Sequence, residues 1–264
     1  MAPGSAEGEH ISTGVYGLAM AVGLLYVNWD DYDAALFDLD GVLTPTAEVH
    51  MRAWQALFTD FLTRRGFVDQ PYVVDDYFAY IDGKPRYDGV RSFLASRGIT
   101  LPDGDPSDDP ETETVCGLGN RKNAFFNAVL ADEGVQPFPG SVRLLDHLAN
   151  RGTKMAVVSS SRNTPPVLQA AGLADRFPVV VDGNIAAREH LPGKPSPDTF
   201  AYAAEQLGVP RHRAVVFEDA LSGVEAGRAG SFGLVVGVDR GVGADRLKES
   251  GADVVVADLA ELVE

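Results

Sequence analysis

The stretch AALFDLDGVLT, residues 34–44, joins a short apolar run to an abrupt polar turn, and it decides the fold class. Residues 34–38 are typical of a buried strand, which ends abruptly in the polar turn 38–41 with Asp38, Asp40 and Gly41. Carboxylates at positions i and i+2 project to the same side of a strand, so Asp38 and Asp40 can serve one site. Taken alone, such a pair is equally typical of a turn or a helix cap.

The later half of the chain repeats this form, with apolar runs that end in polar or glycine-containing turns at 154–158, 214–217, 232–236 and 252–256. Helical patterns separate these runs. Apolar strands that alternate with helices predict an α/β fold with a Rossmann-like, doubly wound parallel sheet. Ligands bind such sheets at the carboxyl ends of the strands, where this sequence keeps its polar residues.

Residues 47–134 break the alternation and have the pattern of successive amphipathic helices. We therefore predict a small helical cap domain at 47–134, inserted into an α/β catalytic core made of 31–46 and 135–264. Residues 1–30 form an N-terminal extension of unassigned role. Its apolar run, 15–27, is too short to span a bilayer, and no Lys or Arg precedes Arg52 to form the basic region of a secretory signal.

Composition narrows the range of partners and compartments. With 38 acidic against 22 basic residues, the chain carries a net charge of -16, which disfavours binding to nucleic acid or to an anionic membrane surface. The single cysteine, Cys116, can form no internal disulfide, as is usual in a reducing compartment. We expect a cytoplasmic monomer. An acidic protein with an anionic substrate must supply local positive charge, by a metal ion or by placed Lys and Arg side chains.

Further polar residues at the later strand ends point to phosphoryl transfer. A carboxylate can attack phosphorus to form an acyl phosphate, while a second carboxyl group moves the proton. Glu218 and Asp219 are suitable oxygen ligands for Mg²⁺. Lys194 and Ser159 offer a positive charge and a donor to phosphoryl oxygens. Each also has a simpler interpretation, as a helix cap, a solvated lysine or a loop hydroxyl, but their joint occurrence at strand ends favours one site.

Together these segments resemble the four motifs of the haloacid dehalogenase superfamily: FDLDGVLT at 37–44, Ser159, Lys194 with Pro195, and Glu218 with Asp219. The resemblance covers residues 33–236. It implies an aspartyl phosphate on Asp38 and a general acid and base at Asp40. It also implies Mg²⁺ held by Asp38, by the Asp40 carbonyl oxygen and by Asp219, with Glu218 adjoining.

The cap sequence resembles the β-phosphoglucomutase family within this superfamily. TAEVHMRAW, residues 46–54, looks like the segment that enters the cap of that family, although Pro45 departs from its pattern. The resemblance implies a set of substrate-binding residues: His50, Arg86 after Gly-Lys-Pro, Lys122 within Arg121-Lys122-Asn123, and the loop Ser161, Arg162 and Asn163.

A mutase must hold a sugar bisphosphate, and therefore needs a second anion site that a simple phosphatase lacks. The planar fork of Arg86 suits that site. We expect a magnesium-dependent phosphomutase that interconverts β-glucose 1-phosphate and glucose 6-phosphate through β-glucose 1,6-bisphosphate. A sugar-phosphate phosphatase on the same core and a non-catalytic sugar-phosphate sensor are the alternative functions. The residues also have simpler interpretations: Arg86 and Lys122 as solvated helical residues, and His50 as a partly buried hinge histidine.

Overall fold

A computed structural model describes residues 27–263. Its core is a six-stranded sheet in which every neighbouring pair is parallel, in the order β3-β2-β1-β4-β5-β6. The strands are β1 (Ala34–Phe37), β2 (Lys154–Val158), β3 (Val179–Val181), β4 (Ala214–Glu218), β5 (Leu234–Val238) and β6 (Val254–Val256). Both faces of a doubly wound sheet are covered by helices, which explains why these strands are continuous apolar runs. The predicted fold class is confirmed.

Helices pack on both faces of this sheet: α5 (Pro139–Arg151), α6 (Thr164–Ala170), α7 (Gly183–Arg188), α8 (Asp198–Leu207), α9 (Leu221–Ala229) and α10 (Ala244–Glu249). One buried cluster centres on Phe37 and Phe217, whose rings stack at 4.5 Å. A second cluster, on the other face, includes Leu36, Val216 and Phe200. The alternation of side chains along β1 and β4 sends neighbouring residues into different clusters.

Four helices lie between β1 and the rest of the core, and we call them the cap helices: α1 (Thr46–Arg64), α2 (Val74–Asp76), α3 (Arg86–Ser96) and α4 (Val115–Glu133). A π-helical turn, Tyr77–Ile81, continues α2. The cap helices have their own apolar cluster, in which the rings of Phe58 and Phe93 lie 3.8 Å apart. The domain limits 47 and 134 stay a prediction.

The structure differs from the sequence expectations in three places, one of which is strand β6, which begins at Val254 and not at Ala252. Strand β3 and helix α7 were not predicted, because three valines followed by a six-residue helix give too short a pattern to recognise. Strand β5 begins at Leu234, two residues later than predicted, since Phe232 precedes Gly233 and packs against Phe200 instead of pairing in the sheet.

The predicted N-terminal extension lies largely outside the described residues, and so does its apolar run apart from Val27. The described part packs on the core: Trp29 is buried, and its indole Nε1 donates to the Leu262 carbonyl oxygen at 3.2 Å. Among residues 27–263, no helix has the length and apolar character needed to cross a membrane.

Candidate active site

Asp38 leaves the end of β1 with its backbone fixed to the neighbouring strand, because its N–H donates to the Phe217 carbonyl oxygen at 2.9 Å. Its carboxylate is buried and accepts a hydrogen bond of 2.6 Å from Lys194 Nζ. The same ammonium donates to the Val158 carbonyl oxygen at 3.0 Å and to the carboxylate of Glu218. Lys194 thus connects the ends of β1, β2 and β4.

Burial governs the charges of this group. It disfavours the ammonium of Lys194, but the carboxylates of Asp38 and Glu218 outweigh it and raise the pKa of Lys194, which is therefore charged. Burial also raises the pKa of Asp38 well above its ordinary value, against the opposing effect of Lys194. The pKa of Asp219 rises for the same reason, reinforced by Asp82 and Glu218. One lysine does not neutralise this many buried carboxyl groups.

The crowded carboxyl groups suit a divalent cation. Asp38, Glu218 and Asp219 each offer an oxygen, and these atoms lie within 4.8 Å of one another. Hard cations such as Mg²⁺ prefer oxygen ligands, and their charge relieves the repulsion that raises these pKa values. Gly41 keeps the space open: its φ is +86°, and a Cβ there would lie 1.8 Å from Asp219 Oδ2. The residues present therefore fit a magnesium ion.

Asp40 is positioned by the turn that follows β1. The Gly41 N–H donates to the Thr44 carbonyl oxygen at 2.7 Å and closes the turn. Thr46 Oγ1 donates to Asp40 Oδ1 and also contacts Thr44 Oγ1 at 2.7 Å. Pro45, the departure from the family pattern, lies between these two threonines as the residue before α1 and leaves their contacts intact.

His50 and Lys122 connect Asp40 to the cap helices. His50 Nε2 lies 3.5 Å from Asp40 Oδ1, and its Nδ1 contacts Lys122 Nζ. Lys122 is buried with its ammonium 5.0 Å from the ring centre of Phe126. Burial lowers the pKa of Lys122 well below its ordinary value, and Arg86 adds to this effect. Among the hydrogen bonds and ion pairs of residues 27–263, Lys122 Nζ contacts His50 but no carboxylate, so a bound anion would supply the negative charge that favours its ammonium form.

A second cationic group involves both cap and core. From α3, Arg86 donates to Asn123 Oδ1 at 2.8 Å, and the same oxygen accepts from Asn163 Nδ2 of the core at 2.6 Å. The guanidinium groups of Arg86 and Arg162 lie 5.9 and 5.7 Å from the ring centre of Tyr87. Burial lowers the pKa of Arg86, and the charge of Arg162 contributes. Two like charges around one ring form a site for an anion.

One cavity of about 430 Å³ extends from the carboxyl groups around Asp38 to the arginine pair, Arg86 and Arg162. Asp38, Asp40 and Asp219 line it, and so do Arg86 and Lys122. A site of this size with few convergent polar groups is typical of small-molecule binding. Positive charge lies at two positions in this cavity, at Lys122 beside Asp40 and at the pair Arg86 and Arg162, so the cavity can hold a ligand with two anionic ends.

Comparison with known proteins agrees with this geometry. The family described as a haloacid dehalogenase-like hydrolase matches residues 32–230. The chain is 53% identical over 239 residues to a β-phosphoglucomutase of Mycobacterium bovis, covering 87% of this chain and 91% of that one. This chain belongs to the haloacid dehalogenase superfamily. Within that superfamily it belongs to the β-phosphoglucomutase-like family, as the motifs predicted.

Solved structures of this superfamily share the fold. A β-phosphoglucomutase from Clostridium difficile superposes with a TM-score of 0.71 at 25% identity, covering 88% of this chain and 93% of that one. CbbY from Rhodobacter sphaeroides, in complex with xylulose 1,5-bisphosphate, superposes with a TM-score of 0.67 at 26% identity, covering 88% and 96%.

The structure brings the predicted site residues of this superfamily member together. All of them line the cavity except Lys194, which lies beneath Asp38. Ser159 Oγ and Ser161 Oγ accept from the backbone N–H groups of Ser161 and Asn163 at 3.1 Å, which shapes the loop after β2. Arg121 does not join them: its Nε donates to the Pro110 carbonyl oxygen at 2.8 Å, away from the cavity lining.

Several residues that line the cavity or contact its lining were not predicted from the sequence. Thr46 and Tyr87 contact predicted site residues, while Tyr77 and Asp82 form a further polar pair in the cavity. Burial raises the pKa of Asp82 to about 7, although a hydrogen bond with Tyr77 opposes this. The spacing of these residues is ordinary for a helix or a turn, so no pattern marks them. Only resemblance to a family with the same cap could have found them.

Substitution of Lys194 by Met tests the buried charge balance. Without the ammonium, Asp38 and Glu218 face each other unpaired, and breaking a buried pair in this way costs about 3 kcal/mol. The free energy of unfolding, measured with urea in metal-free buffer, should fall by that amount at pH 7.5. The loss should be smaller at pH 5 than at pH 7.5, because the raised pKa of Asp38 in the folded state favours its neutral form as the pH falls.

Lys154→Met is the matched control, since Lys154 Nζ donates to a backbone carbonyl oxygen, that of Leu207, and lacks a carboxylate partner in the hydrogen bonds of the described chain. It should show no such pH dependence. An equal loss for Lys194→Met at both pH values would contradict the assignment of Lys194 as the counter-charge.

Proposed function

We propose that this protein is a β-phosphoglucomutase, which interconverts β-glucose 1-phosphate and glucose 6-phosphate through an aspartyl phosphate on Asp38. The observation that carries the proposal is the second cationic group, Arg86 with Arg162, in the same cavity as Asp38. A hydrolase needs only one phosphate site. A mutase must hold β-glucose 1,6-bisphosphate in either orientation, and this cavity supplies a site for each phosphate.

In the first half-reaction, the phosphoryl group of phospho-Asp38 passes to the 6-hydroxyl of β-glucose 1-phosphate. A new bond forms between phosphorus and the sugar oxygen, and the bond between phosphorus and Asp38 breaks. Asp40, oriented by Thr46 and His50, takes the hydroxyl proton. Arg86 and Arg162 hold the 1-phosphate meanwhile.

In the second half-reaction, the bisphosphate is bound in the opposite orientation. The carboxylate of Asp38 attacks the phosphorus of the 1-phosphate, and Asp40 returns its proton to the departing sugar oxygen. Glucose 6-phosphate leaves, and phospho-Asp38 is restored. The same two carboxyl groups therefore serve both directions, as microscopic reversibility requires.

Catalysis in this scheme is mainly positioning and charge stabilisation. Lys194 neutralises Asp38 from beneath, and Ser159 with its adjoining amides offers donors to the transferred group. Asp38, Asp219 and the Asp40 carbonyl oxygen would hold Mg²⁺, with Glu218 adjoining. The ion supplies charge that offsets the repulsion between a phosphoryl group and this acidic cluster.

The relatives support this reading of the site. The Mycobacterium bovis protein is named a β-phosphoglucomutase, and CbbY was solved with a sugar bisphosphate. By analogy, we propose a sugar phosphate and its bisphosphate as the ligands of this cavity.

A parallel assay of two products tests the proposal. The protein is given β-glucose 1-phosphate, Mg²⁺ and a trace of β-glucose 1,6-bisphosphate, and glucose 6-phosphate and free phosphate are measured together. We expect glucose 6-phosphate in excess. Asp38→Asn should abolish its formation, and Asp40→Asn should slow it by about 100-fold or more while the fold is retained. Free phosphate without glucose 6-phosphate would indicate the phosphatase, and absence of turnover the sensor.

Arg86→Lys tests the second anion site. Lysine keeps the charge but not the planar fork, so formation of glucose 6-phosphate should fall about tenfold or more. Hydrolysis of p-nitrophenyl phosphate, which has no second phosphate, should change little. Arg121→Lys is the matched control, because Arg121 is a cap arginine that lies outside the cavity lining of residues 27–263. Equal effects of the two substitutions on glucose 6-phosphate formation would exclude Arg86 from phosphate binding.

The metal requirement has its own test. Removal of divalent ions with EDTA should abolish turnover, and added Mg²⁺ should restore it. Asp219→Asn removes one charged oxygen ligand, so the Mg²⁺ concentration that gives half-maximal rate should rise by about tenfold or more. Full activity in EDTA would refute the magnesium assignment.

A further inference from the structure

A short segment of the cap is hydrogen-bonded to the core on both sides of the active site. We call residues 82–85 the clasp; it lies between the π-helical turn and α3. Ser160 Oγ donates to the Gly83 carbonyl oxygen at 2.7 Å, and Ser222 Oγ donates to the Asp82 carbonyl oxygen at 3.1 Å. Two core hydroxyl groups thus hold two consecutive carbonyl groups of the cap.

Glycine at two positions allows the clasp to come this close. Gly83 has a φ of +70°, and a Cβ there would lie 2.2 Å from Ser222 Oγ. On the core side, a Cβ at Gly193 would lie 2.8 Å from Pro85 Cγ. At these distances there is no room for a side chain on Gly83 or Gly193.

Each core loop that meets the clasp also carries a residue of the site. Ser160 follows Ser159, and Gly193 precedes Lys194. Ser222 lies three residues after Asp219, in the first turn of α9. At its other end, the clasp runs directly into Arg86, the first residue of α3. Movement of the clasp is therefore mechanically linked to the phosphoryl site and to the second cationic group.

The contacts suit a reversible closure better than permanent packing. Each is a single hydrogen bond between a neutral hydroxyl and a neutral carbonyl group, which water can replace when the two bodies separate. Residues 82–85 belong neither to the apolar cluster of the cap helices nor to the main core cluster, which two cap residues, Ala53 and Phe126, also join. The clasp itself is therefore held by these polar contacts and not by either apolar cluster.

We infer that Ser160 and Ser222 are positioning residues that close the clasp over phospho-Asp38, so that its phosphoryl group passes to the sugar and not to water. This inference rests on the proposed function. In the open form, a water oxygen attacks phosphorus, the bond to Asp38 breaks, and inorganic phosphate and a free carboxylate result. In the closed form, Arg86 binds the distal phosphate of the sugar. The sugar hydroxyl is then the only acceptor positioned to attack.

The partition between products tests the inference. Unsubstituted protein and the double variant Ser160→Ala with Ser222→Ala are compared for the ratio of free phosphate to glucose 6-phosphate. We expect the ratio to rise about fivefold or more, the effect of losing one to two hydrogen bonds that stabilise the closed form. An unchanged ratio, even with a lower total rate, would overturn the inference.

Two further variants separate closure from general loss of structure. Ser96→Ala removes a hydroxyl that donates to the Phe93 carbonyl oxygen at 2.7 Å within the cap, and should leave the ratio unchanged. Gly83→Ala should raise the ratio as the double variant does, because it forces the clasp away from Ser222. A rise with Ser96→Ala, or none with Gly83→Ala, would contradict the role of the clasp.

Hydrogen–deuterium exchange gives a readout that needs no turnover. Backbone amides of the clasp should exchange about fivefold faster or more in the double variant than in unsubstituted protein. In Ser96→Ala their exchange rate should be the same as in unsubstituted protein. Equal exchange would overturn the inference whatever the reaction. If the unsubstituted protein forms no glucose 6-phosphate, the proposed mutase fails, while the exchange result still decides whether the two serines hold the clasp.

Discussion

The structure depends on one buried ammonium group. Lys194 Nζ is held among two carboxylates and a backbone carbonyl at the ends of three adjacent strands, and it is the counter-charge that lets Asp38 and Glu218 be buried side by side. Because a buried charge is tolerated only with a partner, this group fixes where the strands can end relative to one another. The remaining excess of carboxyl groups, Asp219 above all, creates the demand for a divalent cation.

A second group of positive charges lies between the cap and the core. Arg86 and Arg162 flank the ring of Tyr87, and Lys122 is buried close to them. Like charges held together without a counter-ion are unfavourable, and a phosphate group converts that repulsion into binding. A chain with a net charge of -16 thus places several of its 22 basic residues around one cavity, where the proposed anionic substrate would bind. This arrangement explains why the site suits a ligand with a phosphate at each end.

In the proposed reaction, a phosphoryl group on Asp38 has two possible acceptors, the sugar and water. An aspartyl phosphate reacts with any oxygen nucleophile that reaches it, so exclusion of water is as important as the carboxyl groups themselves. The clasp is short and polar, and Ser160 contacts it from the loop after β2 while Ser222 contacts it from α9. If the protein is the proposed mutase, our inference places the choice between phosphoryl transfer and hydrolysis in closure of the clasp, because Asp38 and Asp40 are suited to both reactions.

The sequence by itself determined the parallel sheet and the carboxyl groups at its strand ends, because buried strands are continuous apolar runs and Asp38 and Asp219 follow two of them directly. Helical periodicity likewise indicated the cap helices. Only the tertiary structure decided which cap side chains enter the cavity: Lys122 does and its neighbour Arg121 does not, since adjacent residues of a helix point about 100° apart. The clasp also needed the fold, because a backbone carbonyl is the same for every residue type, and its partner is set by distance in space.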